Sequence, residues 1–236
     1  MSNGFKFVYR DLEKLLVHMK ETAPVVPLKD APKMENGYII LRHDVDMDIY
    51  PAYLVSKIEK KLAIRSTFFI MLTSPYYNPC SSENRDMIRK MVEDGHEIGL
   101  HFDPTIYLGA SIKELVVKAK FESSILESIT GKKVLSVSLH NPGEHGNYVH
   151  LDGFINAYHS DYFSKEKYIS DSYIEKSFEN KDPYEFVSRA RKTIVQILLH
   201  PCHFTNDEEN FEKKCEAYIN RKRSQMSIDF RLLLGK

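Results

Sequence analysis

The 236-residue chain has no excess of charge: 33 Lys and Arg stand against 33 Asp and Glu. No global field therefore draws it to nucleic acid or to an anionic surface. Its one basic cluster, Arg221-Lys222-Arg223, reads as a solvated helix end. No apolar run approaches the ~20 residues of a membrane span. The start, Met1-Ser2-Asn3-Gly4-Phe5-Lys6, lacks the charged opening and long apolar stretch of a signal peptide. Cysteine is scarce. Cys80, Cys202 and Cys215 are widely spaced with no Cys-x-x-Cys pair, against structural zinc and against a disulfide framework. A reducing cytoplasm is the expected home. Internal repeats and low-complexity linkers are absent too. Apolar content of 42% with 28% charged residues reads as globular, and the length suits a single α/β domain.

What is present is alternation. Residues 5–20 have helical apolar spacing and run into Pro24 and Pro27, predicting a helix and then a linker. Short β-rich runs follow: YIIL (38–41), STFFIML (66–72), HEIGL (96–100), VLSVSL (134–139), GFINAY (153–158), KYISDS (167–172) and TIVQILL (193–199). Between them lie helical patterns at 50–62, 84–94, 111–130 (stopped by Gly131) and 183–192, and a polar helix of about 207–223 closes the chain. About seven strands interleaved with helices predict a mainly parallel α/β sheet, open or closed into a barrel.

The strands end in polar chemistry: His43-Asp44-Val45-Asp46, His101-Phe102-Asp103, His140-Asn141-Pro142, Ser170-Asp171-Ser172 and His200-Pro201. Ligands bind at the carboxyl ends of strands in such folds, so these ends should converge. Asp44 and Asp46 are two residues apart and should project to one side. Alone, an Asp-x-Asp more often caps a helix, and Asp46 or Asp48 could cap the one that Pro51 helps begin. With His101 arriving from another strand end, the set suits one divalent transition metal (zinc, iron, manganese or cobalt), with zinc expected, better than magnesium or calcium. The carboxylate not bound to metal is placed to accept a proton, and His200 could supply the complementary acid. His96 reads as structural, and His18, His145, His150 and His159 as surface or loop residues.

The order of "LRHDVD", "STFFIML", "DGHEIGLHFD", "SLHNPG", "KYISDS" and "LLHP" resembles the polysaccharide deacetylase family, the NodB homology domain of carbohydrate esterase family 4, in its surface-polysaccharide biosynthesis branch. The resemblance covers roughly residues 36–205 of a single 1–236 domain, leaving the N-terminal and C-terminal helices as additions. It implies a distorted (β/α) barrel and metal-dependent removal of an acyl group from an amino sugar. By position, Asp44 would be the general base, Asp46 and His101 metal ligands, and His200 the general acid. His140 falls where the family usually has an arginine that orients the base.

One position departs from the pattern. The family's second motif places another histidine four residues after the first, and here that residue is Thr105, preceded by Pro104. Asp103 or His140 could replace the missing ligand, with Asp103 favoured; His203 is a further possible ligand. Arg42, Asn141 and Asp171 are expected to contact sugar hydroxyls or orient the catalytic groups. The expected substrate is a nucleotide-linked or lipid-linked amino-sugar precursor, releasing acetate or formate. The rival readings are a non-hydrolytic carbohydrate-binding barrel whose metal site has decayed at Thr105, and a hydrolase of another amide or ester.

Overall fold

The structure, a computed structural model, describes residues 5–35, 37–142, 148–172, 178 and 181–234. Among the described residues, eight strands form one sheet: β1 (Val25–Val26), β2 (Tyr38–Val45), β3 (Thr67–Ile70), β4 (Glu97–Phe102), β5 (Ser136–Leu139), β6 (Ile155–Asn156), β7 (Tyr168–Ser170) and β8 (Ile194–Leu199). Seven of them run in the order β6-β5-β4-β3-β2-β8-β7, with β1 beside β2, and every pairing is parallel. No pairing joins β6 to β7 among the described residues, so the sheet curls into a half-barrel without closing. The helices are α1 (Tyr9–Thr22), α2 (Ile49–Lys61), α3 (Ser82–Glu93), α4 (Ile112–Thr130), α5 (Pro183–Ser188) and α6 (Phe211–Leu233).

Several boundaries differ from expectation for local reasons. The linker after α1 contributes the two-residue β1, which the prolines around it keep short. The helix expected over 183–192 tightens after Ser188 into a 3-10 turn, Arg189–Arg191. α4 behaves as its sequence says: Ser111 and Glu114 form a capping box, and Gly131 ends the helix at φ +66°, where a glycine carries no Cβ penalty. α6 runs ten residues beyond the expected 223.

Alternation along β2 divides the molecule. Ile39, Leu41 and Val45 face the helices and join the main core with Phe68, Ile70, Ile197 and the buried stripe of α1 (Leu12, Leu15, Leu16, Met19). Tyr38 and Ile40 face inward and pack with Leu28, Ala31 and Phe69 in a separate cluster inside the curl. Next to Phe69, β4 carries Gly99; a Cβ there would lie 2.5 Å from the Phe69 ring. Above this apolar floor, the inward positions Arg42, Asp44, His101, Ser138 and His200 carry polar groups toward the strands' carboxyl ends.

His43 points the other way. Its Nε2 lies 2.6 Å from Glu59 Oε1 of α2, while Ser66 Oγ donates to Glu59 Oε2 at 2.5 Å and His96 Nδ1 lies 3.5 Å from the same oxygen. His43 thus ties β2 to α2 and leaves the site to its neighbours. Burial pushes the Glu59 carboxyl up, but His43 and then His96 outweigh it and hold it below the ordinary range. Glu59→Ala strands these partners, and urea unfolding should show a loss of about 3–5 kcal/mol. The depressed carboxyl contributes stability above its unfolded value, ~4.3, which fades as pH falls through the folded value. Glu59→Gln, lacking this group, should lose less stability than wild type between about pH 5 and pH 3; parallel curves would contradict the assignment.

Candidate active site

The register of the sheet brings the polar strand ends together. His101 of β4 pairs with Ser138 of β5, and His43 of β2 with Leu199 of β8, which sets Asp44 beside His200. Asp46 lies just past β2 and His140 just past β5, whose amide donates to Phe102 C=O at 2.8 Å. Asp46 Oδ1 sits 3.0 Å from His101 Nε2 and 3.5 Å from His140 Nδ1, and those two nitrogens are 3.2 Å apart. Asp46 Oδ1 is buried, and despite its short distance to His101 it has no aligned hydrogen bond. Burial raises the Asp46 carboxyl, yet His101, His140 and His200 more than offset it and hold it well below the carboxylate range.

Three donor atoms gathered in this way fit a transition-metal ion. A tetrahedral ion with ligands at about 2.0–2.1 Å has ligand–ligand edges of about 3.3–3.4 Å, close to the three separations above. The His101 tautomer agrees. Ser138 C=O can only accept, so at 3.3 Å it fixes the proton of His101 on Nδ1 and leaves Nε2 with its lone pair toward Asp46. A carboxylate and two imidazoles are the chemistry of zinc and its neighbours rather than of magnesium or calcium.

Asp103, the favoured third ligand, is placed elsewhere. Its Oδ1 accepts from Thr105 N at 2.9 Å and from Thr105 Oγ1 at 2.6 Å, capping the 3-10 turn Pro104–Ile106. Alternation would send Asp103 to the same side as His101, but the turn that Pro104 begins claims the carboxylate. The structure brings His140 to Asp46 and His101 instead.

Arg42 and Asp44 are linked through a residue that the sequence did not single out. Arg42 is fully buried, with its guanidinium 4.7 Å from the Tyr158 ring centroid and Nη2 donating to Tyr158 Oη at 2.9 Å. Its Nη1 donates to Ser138 Oγ at 2.7 Å, and Ser138 Oγ donates to Asp44 Oδ2 at 3.0 Å. An arginine only donates, so the single Ser138 proton must go to Asp44. That occupies Asp44 Oδ2 and leaves Asp44 Oδ1, buried and with no hydrogen-bond partner among the described residues, as the oxygen available to accept a proton. The position where the resemblance implies an arginine thus holds His140, while an arginine reaches Asp44 from Asp44's own strand. If Ser138 acts through Asp44, Ser138→Ala should lower turnover about 10–100-fold, the rate equivalent of one charged hydrogen bond. It should leave metal affinity unchanged and add nothing in an Asp44→Asn background. Equal losses in both backgrounds would contradict the relay.

His200 forms the opposite wall. Asp171 Oδ1 accepts from His200 Nδ1 at 2.6 Å, and Asp171 Oδ2 from the His200 amide at 2.9 Å and from His203 Nδ1 at 3.1 Å. Burial would lower the His200 imidazole, but Asp171 overrides it and raises the pKa to about 9. His200 Nε2 then points inward, 3.6 Å from Asp46 Oδ2. His203 sits on Asp171 rather than with Asp46. Asn141, at φ +44°, is exposed at the rim with Nδ2 3.2 Å from His140 Nε2. Asp48, not Asp46, caps α2, accepting from the Tyr50 amide at 3.3 Å. His96 is buried on the Glu59 side, and His145 lies outside the described residues.

Asp44, Asp46, His101, His140, Asn141 and His200 line a cavity of about 270 Å³, walled on one side by Tyr148, Tyr158, Phe163 and Tyr168. Solved structures to which this chain is similar include members of carbohydrate esterase family 4. The CE4 domain of a multidomain xylanase from the hindgut metagenome of Trinervitermes trinervoides superposes with a TM-score of 0.49 at 16% identity, covering 83% of this chain and 85% of that one. The chitin deacetylase of the fungus Colletotrichum lindemuthianum gives 0.49 at 18% identity, covering 80% and 84%. A CE4 family pseudoenzyme from Bacillus anthracis gives 0.45 at 13% identity, covering 81% and 62%. No family model and no curated protein matches the sequence. At such distances the functional reading rests on the side chains just described.

Proposed function

We propose that this protein is a metal-dependent N-deacylase of the polysaccharide deacetylase type, acting on an acylated amino sugar or its precursor. One observation carries the reading: Asp44 Oδ1, a carboxylate oxygen with no hydrogen-bond partner among the described residues, and an Asp171-held imidazole, His200, flank the Asp46–His101–His140 donor set in a single cavity. A cation bound there would supply Lewis-acid polarisation of the amide carbonyl and a lowered pKa for water.

The chain's own residues do the rest. Asp44 Oδ1 accepts the proton of the attacking water, while Ser138 and Arg42 hold its other oxygen. His200 enters protonated because Asp171 favours the imidazolium, and its Nε2 gives that proton to the leaving amine. Base and acid are separate groups with opposite pKa demands, as amide hydrolysis near neutral pH requires. The aromatic wall offers flat apolar faces to the C–H face of a sugar ring.

The test is amine release from a panel of N-acetylated and N-formylated amino sugars, free, nucleotide-linked and lipid-linked, with the protein loaded with zinc or treated with chelator. Turnover that needs metal supports the reading. No hydrolysis anywhere on the panel by metal-loaded protein would replace it with a carbohydrate-binding barrel.

A further inference from the structure

α6 carries a feature that the site does not use. From Arg223 to Leu233 all its residues are exposed, among them Met226, Ile228, Phe230, Leu232 and Leu233, the last at 81%. Helical segments of about this length are marginal in water without a packed face. Ile219, Met226, Phe230 and Leu233 share one face of the helix, and Ile228 and Leu232 spread apolar surface to the other side. The root of this half-helix is held to the body by Arg221 and Lys222 beside Asp48 at the start of α2, whereas Arg223 and Arg231 form no ion pair among the described residues.

Two observations indicate what covers this surface. The first is charge. Residues 219–236 contain Arg221, Lys222, Arg223, Arg231 and Lys236 against the single acid Asp229, inside a chain that is neutral as a whole; with Arg221 and Lys222 beside Asp48, the excess rests on Arg223, Arg231 and Lys236. The second is periodicity. A two-stranded seam through Ile219, Met226 and Leu233 would alternate them either with Lys222 and Asp229 or with Arg223 and Phe230, so either register buries charge. A second copy would also bring like-charged flanks together. An anionic bilayer meets the charge, and its acyl boundary accepts apolar residues on more than one side of a helix end.

We propose that α6 from Arg221 onward is an interfacial helix that docks the protein on an anionic lipid surface. No helix among the described residues is long and apolar enough to cross a membrane, so the helix lies along the surface with Met226, Phe230 and Leu233 inserted. The inference does not depend on the deacylase reading and is tested without activity.

The experiment is co-sedimentation of the full chain with vesicles of phosphatidylcholine alone or mixed with phosphatidylglycerol, with its mass in solution followed by light scattering. Binding is expected to the anionic vesicles and not to phosphatidylcholine alone, and it should weaken as salt rises. Arg223→Gln and Arg231→Gln should each weaken it about fivefold. The double variant Phe230→Asp, Leu233→Asp should abolish it while the circular dichroism melt is unchanged, since both side chains are exposed. Equal binding to both vesicle types would overturn the proposal, as would no binding to either. A concentration-dependent dimer that the double variant abolishes, without vesicle binding, would assign the face to a second copy.

Discussion

Asp44→Asn should keep its metal and lose turnover by about 10²–10⁴-fold, the usual cost of a missing general base. Asparagine preserves the shape and can still accept from Ser138 Oγ, so the Arg42–Ser138 arrangement survives. What disappears is the basicity of Oδ1, the oxygen of this carboxylate with no partner among the described residues. Asp46→Asn should behave differently. Asp46 Oδ1 lies within 3.0 Å of His101 Nε2 and 3.5 Å of His140 Nδ1, so removing its charge weakens ion binding, and excess metal should restore part of the turnover. A metal titration of each variant, followed by steady-state kinetics, separates the two roles. An empty site in Asp44→Asn with a filled one in Asp46→Asn would reverse them.

The third ligand gives the second large effect. His140→Ala should weaken metal binding by more than the 10–100-fold typical of losing a ligand's hydrogen-bond partner, because Nδ1 is one of the three gathered donors. Asp103→Ala should barely change the affinity; Asp103 is outside the gathered donor set, and its Oδ1 is held by the Thr105 amide and hydroxyl. The expected cost of Asp103→Ala is a loosened turn after β4, read as a small drop in melting temperature. Competition against a chromophoric chelator measures both variants side by side. A large affinity loss in Asp103→Ala with none in His140→Ala would return the ligand to β4.

The contrast between Asp103 and His140 shows where sequence reading ran out. The apolar run Tyr38–Leu41 leading into Asp44 and Asp46 was legible as a strand with a polar mouth, and so was the convergence of β4, β5, β7 and β8 ends, because burial and period two leave a direct mark on composition. Period two also favoured Asp103, two residues beyond His101. It could not register that Pro104 starts a turn whose amide consumes the carboxylate. Ser138 escaped notice for a different reason. A serine inside VLSVSL has no chemistry of its own, and its role exists only because Arg42 above and Asp44 beside it leave one way for its proton to point. The alternation Ser136, Ser138, His140 was the available signal, since it runs along the inward face of β5 and one residue past its end. His43 is the converse: a histidine within the polar cluster, turned outward by the same alternation to meet Glu59. On α6, the balanced charge of the whole chain concealed a basic, apolar end, because total composition does not record where charges sit.

The central claim is that Asp46 and His101 belong to one metal centre, and elemental analysis of wild type beside His101→Ala tests it most directly. Both proteins would be equilibrated with zinc and freed of excess by desalting. The account predicts close to one ion per chain in wild type and a near-empty site in His101→Ala, with both proteins folded. Equal metal content in the two would contradict it.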